Sequence, residues 1–433
     1  MKRHTISLQS AILMNINIMA GAGIFINIFD LTEKLSIFGG LLYAIVGCFM
    51  FPLIFTFAQL VEKFPSGGFY EYGKQIHPFL GFLSGWTYFF GKLASVTVYM
   101  NVVTTFLRKL FPNPFDTINP MLVSLSILAF YILLNCLNMK TGLIIQKIFV
   151  TSKIFPLMGL ILLGTYHFNI NLLSAYPFDI PYQNFIFMLP LVLYCFSGFE
   201  AACSVSRNIE NSSKNAPKAI FYSFFTVMLI YVIFQTLTGL MLKPNIINLS
   251  SYSDSYQYLM SLVPAGEFLQ SKLITAISFL IGLSAMGAAY GILFSNSWNL
   301  YALAEHKHII ASDKLTTFNK YSIPYMAVLI EGFICAVYLW ITGGNKIPLQ
   351  QISTLGGTIT YTISTIAFLY TTQKSKILGW LSLLTCLGLI SSCIISTIQY
   401  NITSLYLFGI MLLIGISMFT ITHKKVSQNN INL

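Results

Sequence analysis

The chain has 433 residues, of which 56% are hydrophobic and only 9% charged. A soluble domain carries nearer ~25% charged residues, so this composition excludes an ordinary soluble enzyme and points to a polytopic membrane protein. The formal net charge is +11, yet Lys and Arg are scattered over short connections with no basic run or recognition module, which argues against a nucleic-acid partner.

The polar segment Met1 to Gln9 carries no small-residue cleavage signature and is expected to be the true start of a multi-pass chain. Apolar runs bounded by charge or proline then predict about twelve spans, at 8–29, 37–61, 79–106, 119–137, 143–166, 184–206, 218–242, 272–300, 324–342, 349–371, 376–397 and 402–422. Two of these runs are interrupted. The first contains Ala20-Gly21-Ala22-Gly23-Ile24-Phe25, and the sixth contains Cys195-Phe196-Ser197-Gly198-Phe199-Glu200. Glycine weakens a spanning helix, and a broken backbone at membrane depth is tolerated only where protein or water satisfies it. Both glycine pairs could simply let neighbouring helices approach closely. Their spacing, five spans apart, instead suggests two five-helix halves of opposite orientation with a binding site at the breaks. The expected architecture is therefore an all-α integral membrane protein with about 12 transmembrane helices. A 5+5 inverted repeat (8–166 and 184–371) with discontinuous helices 1 and 6 is followed by two appended helices (376–422), in a single membrane domain covering 1–433.

Of the 24 basic residues, sixteen fall in the connections and tails on the side of the N-terminus and six on the other; Lys92 and Lys153 lie within spans. Positive charge accumulates on the cytoplasmic side, so both termini are expected there, in a cell membrane. The longest outer connection, 243–271, is polar and expected to be partly helical. The inner connection 301–322 should continue the eighth helix to Glu305. The seven cysteines all sit in apolar runs without metal-ligand spacing and read as packing residues; no metal or cofactor is expected. The six histidines lie almost entirely in connections or tails with no His-Glu-x-x-His pattern, so an intramembrane hydrolase is poorly supported.

Between the second and third spans the chain reads Phe64-Pro65-Ser66-Gly67-Gly68-Phe69-Tyr70-Glu71-Tyr72-Gly73, then Leu80-Gly81-Phe82-Leu83-Ser84-Gly85-Trp86. This resembles a signature of the amino acid–polyamine–organocation (APC) superfamily of permeases. Gly21-Ala22-Gly23-Ile24-Phe25 matches the same family, as does Phe196-Ser197-Gly198-Phe199-Glu200 with Arg207-Asn208-Ile209-Glu210-Asn211 and Ala216-Pro217-Lys218-Ala219-Ile220. The resemblance covers residues 8–220. Later, Ser295-Asn296-Ser297-Trp298-Asn299-Leu300-Tyr301-Ala302 lacks the family's arginine, and His306-Lys307-His308-Ile309-Ile310 replaces its Asp-Gly, which puts the inner-gate contacts of that region in doubt.

An amino-acid zwitterion at the bilayer centre needs amide donors for its carboxylate, best supplied by a half-helix N-terminus, and carbonyl acceptors for its ammonium. The amides of Ala22, Gly23 and Ile24 are the expected carboxylate cradle, and carbonyls near Ala20, Gly21, Cys195, Phe196 and Ser197 the expected ammonium site. The resemblance implies the same assignment. Phe199 is a candidate aromatic lid. Phe69, Tyr70 and Tyr72 are expected to pack a short re-entrant turn and inner gate. Lys153 resembles the lysine that, in sodium-independent family members, occupies the place of a coupling cation. It could exchange a proton during transport, or be a permanent charge bonded to span-one carbonyls. Glu200, at the start of the second half of its span, could respond to protons and gate, as the resemblance implies, or be a cap that fixes the break. Lys92 could meet an acidic substrate side chain, but a salt bridge or snorkelling contact is the simpler reading. Glu331 is expected to pair with a nearby cation.

The function expected is secondary active transport of amino acids or related amines by alternating access, coupled to protons or to substrate exchange, with no catalytic residue, as a monomer or homodimer. The rivals are a sodium-coupled symporter, a passive channel and an intramembrane enzyme.

Overall fold

The computed structural model describes residues 5–65, 67–169, 181–373, 375–400 and 402–431. Lys2, Arg3 and Lys374, three of the residues behind the orientation argument, lie outside them, as does Ser66 of the family signature. Among the described residues the fold is helical throughout, with one isolated parallel bridge between Ile6 and Ile209.

The first run is broken twice. Helix α1 (Leu8–Met19) stops before Ala20, α2 (Gly23–Ile26) follows, and α3 (Ile28–Leu35) continues beyond Asn27. Ser7 caps α1 through its side chain. Then come α4 (Gly39–Lys63), the short α5 (Phe69–Lys74), α6 (Pro78–Leu110), α7 (Pro112–Phe115), α8 (Pro120–Asn135) and α9 (Met139–Tyr166). The sixth run splits into α10 (Tyr182–Phe196) and α11 (Ala201–Ser204), separated by a turn at 197–200. The remainder comprises α12 (Ser212–Leu242), α13 (Tyr252–Ser261), α14 (Glu267–Glu305), α15 (Ser312–Leu315), α16 (Tyr325–Thr342), α17 (Lys346–Thr371), α18 (Lys376–Tyr400) and α19 (Thr403–Ile431).

Among the described residues, ten segments are long and apolar enough to cross a bilayer, and Pro120–Asn135 and Tyr182–Phe196 are shorter apolar helices. The latter is short because Ser197 leaves the helical region and Gly198 takes a φ of 134°, which ends the run in mid-span. The eighth run extends well beyond its expected start, to Glu267, while ending at Glu305 as expected.

Helix α6 lies at the centre of the packing, between α14 and α17. It is fixed by neutral hydrogen bonds: Thr87 to Thr360, Ser95 to Ser353, and Asn296 to the Phe89 carbonyl. Helix α12 packs along both α4 and α1. The outward faces of α8, α9, α18 and α19 carry Leu122, Leu133, Phe155, Leu162, Leu384 and Leu413 exposed, as lipid-facing surfaces do.

Candidate functional site

The two breaks meet. Ending α1 at Met19 and restarting at Gly23 leaves the Ala22, Gly23 and Ile24 amides without an acceptor among the described residues, since the first amides of α2 to be satisfied are those of Phe25 and Ile26, on the Ala22 carbonyl. These three N–H groups belong to the residues expected to cradle a carboxylate. Across from them lies the end of α10: a Cβ on Gly23 would stand 3.0 Å from Cys195 Sγ and 3.3 Å from the Tyr194 ring. Gly198 approaches α1 so closely that a Cβ there would come within 2.9 Å of the Met19 nitrogen.

Polar side chains stitch this junction. The Asn15 amide donates to the Phe199 carbonyl at 2.7 Å, while its oxygen accepts from the Ala202 N–H at 3.0 Å. Tyr231 on α12 points its hydroxyl at the Met19 carbonyl, 2.6 Å away, with the Cys195 carbonyl at 3.3 Å. Ser284 on α14 donates to the Ala20 carbonyl at 3.1 Å. Tyr99 on α6 closes the space above Gly21, where a Cβ would lie 2.6 Å from its hydroxyl. Ala20, Gly21, Ala22, Gly23, Ile24, Cys195 and Phe196 are all buried, and Ser197 nearly so. The carbonyls expected to hold an ammonium thus surround the junction, with Met19, Ala20 and Cys195 already holding hydroxyl donors.

The expected ionisable residues fall beside the junction. Lys153 is buried on α9, and its Nζ donates to the Asn17 carbonyl, in the last turn of α1. The Asn17 amide donates to Gln146 at 3.1 Å and to the Gly287 carbonyl at 2.8 Å. Glu200 precedes α11 but does not cap it. Its carboxylate turns back to accept the Gly198 N–H at 2.9 Å and the Tyr88 hydroxyl at 3.1 Å, so it holds the break itself. Its third partner is Lys92, at 2.6 Å, which also donates to Ser197 Oγ.

Phe199 lies elsewhere than the lid position considered above. Its ring packs among Phe57, Phe224 and Tyr361. The ring that faces Gly23 is Tyr194, with Tyr99 at 6.2 Å from it. Among the described residues no cation pairs with Glu331, and Asn296 is the polar group that faces it.

Each end of the junction is closed by charge. On one side Lys346 of α17 pairs with Asp30 of α3 at 2.8 Å, above a Gln350–Asn27 contact. On the other, Arg207 pairs with Glu305 at 3.1 Å, His306 with Glu71 at 2.9 Å, and Tyr70 with His308 at 2.7 Å. Burial pushes the Glu71 carboxyl up, but the hydrogen bonds from His306 and Lys74 outweigh it and hold the group below its ordinary value. Burial, then the nearby His306 and His423, pull His308 down to about 4. Burial and the neighbouring Glu71 push Tyr70 up to about 12, so Tyr70 keeps its proton in its hydrogen bond with His308 Nε2. The histidines that replace the family's Asp-Gly therefore do build contacts at this end.

Sequence reasoning missed Tyr231, Tyr99 and Ser284. It also passed over Asn15 and Asn17, although two amides in an apolar run are a legible signal that buried partners exist.

The chain is similar to known permeases and transporters. The Bacillus subtilis serine/threonine exchanger SteT is 22% identical over 390 residues, 86% of this chain and 84% of SteT. The uncharacterized transporter Rv1979c of Mycobacterium tuberculosis is 23% identical over 399 residues, 84% of this chain and 80% of that protein. An uncharacterized amino-acid permease of Schizosaccharomyces pombe is 22% identical over 279 residues, and there the match spans 60% of this chain and about half the relative, 46%. A family model described as amino acid permease matches residues 6–433. This multi-pass membrane protein, whose homologues are transporters and not enzymes, belongs to the amino acid permease family.

Proposed function

We propose that the protein is a secondary active transporter that moves amino acids or related amines by alternating access, driven by protons or by exchange for another substrate. One observation carries the reading. Three unsatisfied amides at the start of α2 face the end of α10 across a junction where the backbone carbonyls of Met19, Ala20 and Cys195 also converge. That arrangement offers donors to a carboxylate and acceptors to an ammonium without any specific side chain.

The packing pattern supports two inverted five-helix repeats. Helix contacts come in matched pairs when each span is exchanged with the one five places on. The contact of α6 with α17 is matched by that of α14 with α9, α1 with α12 by α10 with α4, and α6 with α8 by α14 with α16. The moving bundle would be the broken spans with α4 and α12, rocking against the rest by analogy with the fold. The end bearing α5 and α15 is assigned to the cytoplasm, as the positive charge of its connections favours, with both termini there, in the cell membrane. The protein would work as a monomer or homodimer.

Lys153 bears on the coupling ion. Its ammonium on the Asn17 carbonyl stands where a sodium ion coordinated by α1 carbonyls would have to sit, and like charges compete. The test is uptake of labelled amino acids into proteoliposomes. We expect uptake or exchange that an inward proton gradient accelerates and that replacing sodium with choline leaves unaltered. Strict sodium dependence would favour the symporter reading instead.

A further inference from the structure

The junction needs no ion pair to bind a zwitterion, yet it contains one. Lys92 and Glu200 are 4% and 0% exposed, 2.6 Å apart, with the lysine also on Ser197 Oγ and 5.1 Å from the centre of the Tyr88 ring. Burying such a pair costs desolvation that hydrophobic side chains of similar size would avoid, so it is a poor means of fixing a helix. Helix α6 does not need it for that purpose, because Thr87, Ser95 and the Phe89 carbonyl already tie it to α17 and α14. The position of Lys92 is also telling. Lys92, Ser95 and Tyr99 share one face of α6 at helical spacing. Tyr99 covers Gly21 at the first break, and Lys92 reaches Ser197 at the second. Seven residues separate them, a rise of about 10 Å along α6, so this one face borders both breaks.

Resting on the amino-acid reading above, we propose that Lys92 determines the substrate's side chain, selecting amino acids whose side chain ends in a carboxylate and rejecting those whose side chain is a cation. In the empty site Glu200 serves as the internal counter-ion. An acidic side chain replaces it at the Lys92 ammonium, while Glu200 keeps the Gly198 N–H and the Tyr88 hydroxyl. The pair is neutral as it stands, so an incoming anion adds one negative charge. One proton taken up with the substrate balances that charge. The other titratable groups facing Glu200 are Tyr88 on α6, Tyr361 on α17 and Cys203 on α11, and none of them is cationic. A lysine or arginine side chain would meet the Lys92 ammonium with no free carboxylate to offset it.

The experiment is a competition panel on purified protein, reading binding by thermal shift and by displacement of whichever labelled amino acid binds. Glutamate and aspartate are compared with their neutral isosteres glutamine and asparagine, and with lysine and arginine. The expected result is at least tenfold preference for the acid over its amide and no competition by the cations. Lys92→Met collapses that ratio toward one, and Lys92→Arg preserves it. Should Lys92→Met fail to fold, the wild-type panel and Lys92→Arg still decide. Amides that bind as well as acids, or an acid preference that survives Lys92→Met, would reduce the pair to a structural tie and overturn the proposal while leaving amino-acid transport standing. If no amino acid binds at all, both readings fall.

Discussion

The Tyr231 hydroxyl donates to the Met19 carbonyl at 2.6 Å, from a helix on which nothing in the sequence marks a site residue. With the Cys195 carbonyl 3.3 Å from the same oxygen, one side chain spans the ends of both interrupted helices. Tyr231→Phe removes that donor. Met19 keeps the Gly21 N–H at 2.7 Å, so the stability lost should be near the low end for a buried hydrogen bond, about 1 kcal/mol. Uptake should fall much further than that, because the two breaks lose their common reference. Melting temperature and initial uptake rate, measured on one preparation, check the difference; equal losses in both would make Tyr231 a packing residue.

Gly23→Val is expected to abolish substrate binding while leaving the protein folded and inserted. A Cβ there already meets Cys195 Sγ at 3.0 Å, so the larger side chain must fill the space between the α2 amides and α10. Retained affinity in an equilibrium binding assay would move the site elsewhere.

Gly198→Ala should be more damaging to the fold than Gly23→Ala. Gly198 combines a φ of 134° with close approach to the Met19 backbone, which cannot give way as a flexible side chain can. A cost of roughly 1–3 kcal/mol is expected for the strained backbone alone. The order of the two melting temperatures tests this.

Lys153→Met should insert normally and lose the dependence of uptake on a proton gradient. The proton is carried by another group if the gradient still accelerates the variant.

Acid should destabilise the end that carries α5. His308 sits at about 4, below its value in an unfolded chain of about 6.5, so the unfolded state binds more protons between those values. Its contribution to stability is complete above pH ~6.5 and is lost as the pH falls toward ~4. Glu71, also held low, adds a loss of the same sign further into acid, as the pH drops below the ordinary carboxylate range. Melting temperature should therefore fall between pH 7 and pH 5, and His308→Phe should flatten that part of the curve. A wild-type profile that is flat over this interval contradicts a neutral, buried His308 beside Tyr70.

Much of this could be read in the sequence, for identifiable reasons. Glycine and small polar residues interrupting an apolar run mark where a spanning helix must stop, and α1 ends at Met19, α2 begins at Gly23 and α10 ends at Phe196, each within a residue of expectation. Lys153 stood out because an ionisable group in a span is costly. Tyr99, Tyr231 and Ser284 did not, because the core helices are apolar on nearly every face and no periodicity tells a site-facing hydroxyl from a packed one. Phe199 illustrates the converse error. Its place beside Gly198 suggested a lid, but the turn at 197–200 directs the ring toward Phe57 and Tyr361. For Glu200 the sequence offers a proton-responsive gate or a cap that fixes the break, and the carboxylate does hold the turn at the break, through the Gly198 N–H.

The inner portions of the two broken spans are sewn together at two levels. Asn15 grips the Phe199 carbonyl and the Ala202 amide, and lower down Ile6 exchanges backbone hydrogen bonds with Asn208 and Glu210 at 2.7 and 2.9 Å. Two fastenings along a common edge oppose pivoting, so α1 and the 198–210 segment are expected to move as one lever. Spectroscopic labels placed on either side of that seam should keep a constant separation through a transport cycle, and labels across α1 and α14 should not. The seam also makes Ile6 a handle on that segment, so that a bulky group introduced beside it would load the mechanism directly.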